Sequence, residues 1–373
     1  MGPHLVVRVG AWALLLALAP PISHLSAQAT REPSGSDPQA TPLFHDVHFH
    51  LTNYVQRGID VRRYLELVGD RVGRTAMFGI PLQQKWDWFV SRERAPDYYL
   101  RSNASLYYYS FVDAVIASEY LSLSEEEKKR IDPMITGFNP TDMYASDHIE
   151  RVLRTYPGVF AGIGEFSVHK EFVSPKVTGH VASLGNPALD EILATAADIG
   201  LVVILHCDVD NVRPGPDGPD HFHQLLDLFE RHPDASLIWA HIGLGRFVGP
   251  PDAYVELIGS MLADPRYDHV TLDISWDEVA KYLVTPDRID DWADLFNRHP
   301  SRFIFGTDAV APADWEAYLT TYAIYEPLFE KLDPDVRVRI ERTNYERIFD
   351  AAIPKVRAWE SRLPARPGGG SPR

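Results

Sequence analysis

The sequence predicts an α/β protein, a (β/α)8 TIM barrel with a helical, aromatic-rich insertion between its second and third strands. Three observations lead to this prediction. Eight short apolar segments alternate with segments of helical spacing, the alternation extends over residues 43–352, and polar residues stand where the apolar segments end. An open dinucleotide-binding sheet has little support, because no Gly-x-Gly-x-x-Gly turn follows the first strand.

The strands are predicted from apolar runs that end in glycine, proline or a polar residue. We expect them at residues 44–51, 75–81, 134–140, 159–167, 201–205, 237–240, 270–275 and 303–306. Residues 201–205 are almost continuously apolar, as in a strand buried on both faces of a parallel sheet. The segment between the second and third strands has helical spacing and is rich in aromatic residues, namely Trp86, Trp88, Tyr98, Tyr99 and the run 107–109.

The helices are predicted from apolar spacing and from their capping residues. Residues 60–69, 146–156 and 220–231 have helical spacing. Asn186 is a good N-cap and Pro187 suits the first helical position, where its missing N–H costs nothing. Thr285 and Pro286 are expected to begin another helix in the same way.

Both ends of the chain are expected to lie outside the barrel. Residues 1–29 have the pattern of a secretory signal peptide, with Arg8 in a short polar head, an apolar run and the small-residue cleavage site Ala27-Gln28-Ala29. Residues 30–42 predict a flexible leader, and residues 353–373 the end of a helix followed by a disordered tail. The predicted location is secreted or periplasmic, with no stable membrane insertion after signal cleavage.

The composition restricts the partners. The formal net charge is −16, and removal of residues 1–29, which include Arg8 and no acidic residue, changes it to −17. Nucleic acid is therefore not expected as a partner. The single cysteine, Cys207, allows no internal disulfide and is expected to be a buried, inert thiol. The partner is expected to be a small-molecule substrate, and a homo-oligomer is left open.

Six polar residues are predicted to stand at strand ends. His48 and His50 are two apart on the first strand, so both side chains project from one face. The others follow later strands at intervals of 115, 41, 35 and 67 residues. A barrel of ~250 residues spends roughly 31 on each unit, so the last three intervals are close to one, one and two units, and the first corresponds to three units plus part of the aromatic insertion. These residues, expected to converge at one end of the barrel, are Glu165, His206, His241 and Asp308.

Imidazole and carboxylate ligands without thiolate suit a divalent metal, most often zinc, and equally manganese, iron or nickel. Six groups exceed the three or four that one catalytic ion usually takes, so the sequence leaves open two ions or one ion with spare groups. A bound divalent ion can lower the pKa of water to about 7. Asp308 would then orient that water and accept its proton.

These motifs together resemble the amidohydrolase superfamily of metal-dependent hydrolases. The resemblance is closest to its amidohydrolase-related, or type 2, branch, with a strand-four glutamate like that of TatD-type members. It rests on Asp46-x-His48-x-His50, Gly164-Glu165, His206, His241, Gly306-Thr307-Asp308 and the closing run 344–349. It implies that His48, His50 and Asp308 hold the more buried ion, that His206 and His241 hold a second, and that Glu165 bridges or supplements them. In mononuclear relatives His241 would instead polarise substrate or water.

The expected function is a hydrolase that uses metal-activated water on an amide, ester, lactone or phosphoester bond. One alternative is a metal-dependent decarboxylase of the same superfamily, and another is a catalytically silent metal-binding barrel. His169 and Lys170 follow the fourth strand and Arg246 follows the sixth, so these residues are candidates for binding a substrate carboxylate or phosphate. His221 and His223, at a helix start, are expected on the surface.

Overall fold

Parallel strands form one continuous sheet. The computed structural model describes residues 41–89, 95–179, 181–216 and 218–363. The sheet has nine strands: β1 Phe44–His50, β2 Val72–Phe78, β5 Ile131–Ile135, β6 Gly162–His169, β7 Val202–Cys207, β8 Ser236–Trp239, β9 Val270–Asp273, β10 Phe303–Ile304 and β11 Ala309–Val310. Their order is β10-β9-β8-β7-β6-β5-β2-β1-β11, and neighbouring strands run parallel.

The last strand is interrupted and joins both ends of the sheet. Its first part, β10, pairs with β9, and its second part, β11, pairs with β1. Between them, the Val47 amide donates to the Phe305 carbonyl at 3.2 Å and the Asp308 amide donates to the His48 carbonyl at 2.8 Å. The sheet therefore closes on itself, and the predicted (β/α)8 barrel is confirmed.

Helices follow the strands along the chain. One predicted cap is confirmed, because the Asn186 side chain accepts from Ala188 N at the start of a helix. At the start of another helix, the Asp60 side chain accepts from the amides of Arg62 and Arg63. The helices are α1 Val61–Val68, α2 Phe111–Leu121, α3 Glu125–Lys128, α4 Ala145–Thr155, α5 Val173–Lys176, α6 Pro187–Ile199, α7 Phe222–Arg231, α8 Tyr254–Ala263, α9 Asp277–Leu283, α10 Ile289–Arg298, α11 Trp315–Phe329, α12 Pro334–Val338 and α13 Asn344–Ser361.

Several element boundaries differ from the sequence prediction. The third barrel strand, β5, begins three residues before the predicted 134, because Asp132 and Pro133 belong to it although neither residue favours a strand interior. Thr285 and Pro286 form a turn, and α10 begins only at Ile289, whose amide donates to the Thr285 carbonyl at 2.9 Å. Helix α9, between β9 and this turn, was not predicted.

The insertion between β2 and β5 is only partly helical. Helix α2 lies within it, but the aromatic run 107–109 does not belong to a helix. Tyr107 and Tyr108 lie on β4, Leu106–Tyr108, which pairs antiparallel with β3, Leu82–Gln84. The helical prediction is therefore wrong for this run, which follows the preference of aromatic residues for strands. Trp86 and Trp88 are exposed, at 51% and 60%.

The core has two layers. A large apolar cluster lies between the strands and the surrounding helices, and a smaller one fills the inside of the barrel. The inner cluster takes one or two residues from most strands, such as Val47, Ile204 and Ile304, and α13 closes it with Tyr345 and Phe349. With this part of the barrel filled by apolar side chains, the polar strand ends gather at the opposite, carboxyl end.

The predicted signal peptide and most of the predicted leader, residues 1–40, lie outside the described residues, as does the tail from residue 364. Among the residues that are described, no helix is both long and apolar enough to cross a membrane.

Candidate metal centre and substrate pocket

The six predicted side chains meet at the carboxyl end of the barrel. His48 and His50 lie on β1, Glu165 on β6, His206 on β7, His241 directly after β8, and Asp308 between β10 and β11. All are buried from solvent or nearly so, and the Asp308 side chain, at 10% exposed, is the most accessible of the six. The structure thus brings together residues separated by up to 260 positions in the sequence.

One subset has the spacing of ligands to a common ion. His50 Nε2 lies 3.4 Å from Glu165 Oε2 and 3.1 Å from Asp308 Oδ1. His48 Nε2 lies 3.7 Å and 3.5 Å from the same two oxygens. Two ligand atoms, each about 2.1 Å from one ion and separated by a tetrahedral angle, would be about 3.4 Å apart. The four side chains therefore fit a divalent ion.

Buried histidine nitrogens without hydrogen-bond partners also indicate a metal ion. His48 Nε2 and His241 Nε2 are inaccessible to solvent and have no hydrogen-bond partner among the described residues. Burying a polar atom without a partner costs on the order of 1–3 kcal/mol, so such atoms call for an explanation. Both atoms belong to groups of imidazole and carboxylate side chains that could hold a metal ion.

The other oxygen of Glu165 faces a different set of groups. Glu165 Oε1 lies 2.5 Å from His206 Nδ1, 3.6 Å from His241 Nε2 and 3.2 Å from Lys170 Nζ. Lys170 Nζ is also 3.2 Å from His206 Nδ1. The Glu165 carboxylate thus stands between two imidazole pairs, with the Lys170 ammonium beside the second pair.

Asp273 and Ser275, which are not among the predicted site residues, orient two of the histidines. Asp273, at the end of β9, lies with Oδ2 2.8 Å from His48 Nδ1 and also accepts from Ser275 Oγ at 2.7 Å. Ser275 Oγ in turn lies 3.0 Å from His241 Nδ1. One carboxylate therefore fixes two imidazoles, directly and through a hydroxyl, and turns their Nε2 atoms toward the centre.

Asp208 has a similar position beside His206. Its Oδ1 is 2.9 Å from His206 Nε2, and its Oδ2 accepts from the Glu171 amide at 2.6 Å. Asp273 and Asp208 both stand at the carboxyl ends of predicted strands, so the signal that pointed to Glu165 was available for them too. What the sequence does not show is that each of them faces a histidine.

The backbone at the centre is strained and close-packed. His241 and Asp308 have positive φ angles of 58° and 53°, a region that side chains larger than glycine rarely occupy. Such strain persists only where the surroundings enforce it, and it is concentrated at functional sites. Gly306 allows the last strand to approach β1, since a Cβ atom there would lie 2.8 Å from His48 Cβ.

The charges of the centre favour a cation. Burial by itself would raise the pKa of Glu165, but Lys170 and His206 outweigh it and hold that pKa well below its usual range. Burial would also raise the pKa of Asp308, but the hydrogen bond to His50 and the nearby His48 outweigh it and lower that pKa. Burial lowers the pKa of His241. Burial would lower the pKa of His48, but the hydrogen bond to Asp273 outweighs it and raises that pKa well above its usual value. At neutral pH the centre without a metal therefore contains two carboxylates, a neutral His241 and the Lys170 ammonium beside Glu165.

A cavity of about 210 Å³ opens directly above His50 and Asp308. Two of the three predicted substrate-binding residues, Lys170 and Arg246, line it. Arg246 donates through Nε to Glu278 at 3.1 Å and through Nη1 to the Tyr98 hydroxyl at 2.6 Å. The remaining walls are mostly aromatic or aliphatic: Tyr54, Ile80, Tyr98, Tyr99, Trp276 and Val310.

His169, the third predicted substrate-binding residue, lines a different cavity. This neighbouring space, of about 350 Å³, shares Lys170 with the first and is also lined by Asp208 and His221. The His169 and His221 rings stack with centroids 4.0 Å apart. The prediction that His221 lies on the surface is wrong, because the ring is buried and its Nδ1 is 2.9 Å from the Asp208 carbonyl oxygen. His223 is exposed, as predicted, and Cys207 is buried.

The fold and the site together define the class of protein. It is a parallel α/β barrel with a cluster of imidazoles and carboxylates at the carboxyl ends of its strands. A family model described as amidohydrolase matches residues 45–351, and the chain therefore belongs to the amidohydrolase family. This family is metal-dependent, and the chain has the side chains that could bind a metal ion.

Solved structures share the fold at low sequence identity. One is a candidate 2-pyrone-4,6-dicarboxylic acid hydrolase from Pseudomonas putida, with 12% identity and a TM-score of 0.51, matched over 83% of this chain and 99% of that one. Another is 4-oxalomesaconate hydratase from Rhodopseudomonas palustris, with 14% identity and a TM-score of 0.50, matched over 85% and 99%. Among curated proteins, no sequence matches. At these identities the likeness concerns the fold.

Proposed function

We propose that this protein is a metal-dependent hydrolase that uses activated water on an amide, ester, lactone or phosphoester bond of a small molecule. The observation that supports this most is the pair of buried, unpartnered Nε2 atoms of His48 and His241 beside the Glu165 and Asp308 carboxylates. These imidazole nitrogens are buried without a hydrogen-bond partner among the described residues, and a bound cation would supply the missing partner of His48 Nε2.

In this proposal His48, His50, Glu165 and Asp308 would hold a divalent ion, with zinc the first choice for nitrogen and oxygen ligands. The ion would supply Lewis acidity, polarising a carbonyl or phosphoryl oxygen and acidifying water. Asp273 would keep the His48 ring in the tautomer whose Nε2 lone pair faces the ion.

Two residues would move or direct protons. Asp308 lines the cavity and is ionised at neutral pH, so it would orient the attacking water and accept its proton. His241 is neutral, and its Nδ1 faces Ser275. Because Ser275 Oγ donates to Asp273, His241 Nδ1 carries the ring proton and Nε2 a lone pair. Nε2 would therefore accept a proton from water or substrate and could then pass that proton to the leaving group.

The cavity suggests a compact substrate with an anionic group. Its volume of about 210 Å³ suits a molecule of moderate size. Arg246, fixed by Glu278 and Tyr98, presents its guanidinium to the cavity, and Lys170 stands between the cavity and Glu165. These two cations also favour the second candidate, decarboxylation of a small acid, because they would anchor its carboxylate. Release of carbon dioxide would select that chemistry.

The test combines metal analysis with one substitution. The purified protein should contain a divalent metal and should hydrolyse at least one member of a panel of small amides, esters, lactones and phosphoesters. Asp308→Asn should fold normally and lose at least about 100-fold in kcat, as expected for removal of a group that handles the proton. Asp333→Asn, at an exposed aspartate before α12, is the matched control. Full activity after complete metal removal would refute the proposal.

We further propose that the protein is exported. The support is the signal-peptide pattern of residues 1–29 with its cleavage site after Ala29.

A further inference from the structure

The number of metal ions is decided by the two sides of the Glu165 carboxylate. Oε2 faces His48 and His50, with separations of 3.7 Å and 3.4 Å that suit ligands of one ion. Oε1 faces His206 and His241, and these three side chains form a second group that could hold an ion. By residue type alone, the chain could therefore bind two ions with Glu165 as the bridge.

The second group is arranged differently from the first. His206 Nδ1 and Glu165 Oε1 are 2.5 Å apart, in direct hydrogen-bond contact. Two ligands of one ion would be separated by about 3.4 Å at tetrahedral geometry. His206 Nε2 also faces a carboxylate, that of Asp208, at 2.9 Å. Both nitrogens of His206 are thus in hydrogen-bond contact with acidic side chains.

A positive charge already occupies this side of Glu165. Lys170 Nζ is 3.2 Å from Glu165 Oε1 and 3.2 Å from His206 Nδ1, so it contacts two of the three potential ligands. Its side chain is only 10% exposed, and the ammonium lies 5.5 Å above the Trp276 ring. The Lys170 amide donates to Ser174 Oγ at 2.9 Å, which anchors the loop that carries it.

We propose that the Lys170 ammonium takes the place of a second metal ion and keeps the centre mononuclear. This inference rests on the proposed metal-dependent function and specifies its metal content. The ammonium neutralises the outer oxygen of Glu165, as a second ion otherwise would, and it repels any divalent cation that approaches His206 and His241. The Nε2 atom of His241, which has no hydrogen-bond partner among the described residues, then remains available to substrate and protons.

The experiment is a metal count on the full-length protein and its variants. Each protein is stripped with a chelator and dialysed against excess Zn²⁺, and the bound zinc per chain is measured by elemental analysis. Wild type should retain one ion per chain. Lys170→Met removes the charge at similar side-chain length and should retain two, because Glu165, His206 and His241 become free to bind. Lys170→Arg keeps the charge and should retain one.

Lys176→Met is the matched control. Lys176 lies six residues further along, on α5, where its ammonium contacts the Tyr99 and Ser102 carbonyls and no residue of the centre. It should bind one ion, as wild type does. Circular dichroism establishes that each variant is folded, and Lys170→Gln replaces Lys170→Met if the latter does not fold. Mn²⁺ provides a second readout on the wild type, whose electron paramagnetic resonance spectrum should be that of an isolated ion.

The outcomes separate this inference from the proposed function. Two zinc ions in wild type, an exchange-coupled manganese spectrum, or one zinc ion in both wild type and the neutral Lys170 variants would overturn the role of Lys170 and leave a metal-dependent hydrolase intact. No bound metal in wild type would remove the proposed function, and this inference with it.

Discussion

Asp273 is expected to control metal affinity although it is not proposed to bind the metal. It is fully buried, lies 2.8 Å from His48 Nδ1, and is linked to His241 through the Ser275 hydroxyl. In Asp273→Asn the amide can donate to His48 Nδ1, which would place the ring proton on Nε2, the atom that faces the centre. An asparagine side chain has one oxygen that accepts, where the Asp273 carboxylate has two. The substitution therefore leaves either His48 Nδ1 or the amide and hydroxyl of Ser275 without an acceptor.

The expected loss follows from one charge-assisted hydrogen bond. Hydrogen bonds to charged groups contribute about 1.5–3 kcal/mol, and about 1.4 kcal/mol corresponds to a tenfold change in an equilibrium constant. Asp273→Asn should therefore weaken metal binding roughly 10- to 100-fold, which is also the usual effect of removing such an orienting carboxylate. Ser275→Ala breaks only the indirect link to His241 and should have a smaller effect.

The assay is competition of each protein with a chromophoric chelator for Zn²⁺, which gives a dissociation constant without any substrate. Asp277→Asn is the control, because Asp277 lies four residues further along and pairs with Lys281 on the surface of α9. It should leave the affinity unchanged. Wild-type affinity in Asp273→Asn, with the fold intact, would refute the orienting role of this carboxylate.

Three further predictions concern the surroundings of the centre. Burial and the stacked His221 lower the pKa of His169 from 6.5 to about 4, so its contribution to stability is present above pH 6.5 and is lost as the pH falls toward 4. His169→Phe stacks but does not titrate, so it should reduce the loss of unfolding free energy between pH 6.5 and pH 4 by at most about 3 kcal/mol. Urea titrations at both pH values measure this loss, and the same loss in the variant as in wild type would contradict the prediction. Arg246→Gln should raise KM for an anionic substrate about 10-fold or more with little change in kcat, whereas a fall in kcat alone would exclude an anchoring role. The proposed export with signal cleavage predicts an N-terminus at Thr30, which mass spectrometry of the protein from the native cell would detect, and a retained Met1 would refute the cleavage.

The barrel and the six site residues could be predicted because both follow from periodicity. Parallel strands buried on both faces appear as short apolar runs, and the first polar residue after each run lies at the same end of the barrel. Glu165, His206, His241 and Asp308 are therefore predicted at the same end of the barrel without any knowledge of distances. It does not separate Asp273 from other strand-end residues, because its role depends on facing His48, 225 positions away in the sequence.

The errors have local physical causes. The tyrosine run 107–109 has no clear period, because its three aromatic residues are consecutive. Strands as short as β3 and β4 also leave too little alternation to be distinguished from a helix. His221 precedes α7, so the spacing rule for helix faces does not apply to it, and its ring turns inward onto His169 instead.

The contacts of the Lys170 side chain could not be predicted from the sequence. The sequence places it on a loop after the fourth strand, where it could bind substrate, and the structure does place it at the cavity wall. Only the contacts of its ammonium with Glu165 and His206 connect it with the metal count. A long, flexible side chain reaches several positions, and the sequence does not show which one it takes.

The central claim is that a divalent ion is held between β1, Glu165 and Asp308. Crystals of the metal-loaded protein, with diffraction recorded above and below the zinc absorption edge, test it most directly. One anomalous peak is expected within about 2.1 Å of His48 Nε2 and His50 Nε2, with Glu165 Oε2 and Asp308 Oδ1 as the other protein ligands. A peak elsewhere, or none at this position in a fully loaded protein, would contradict it.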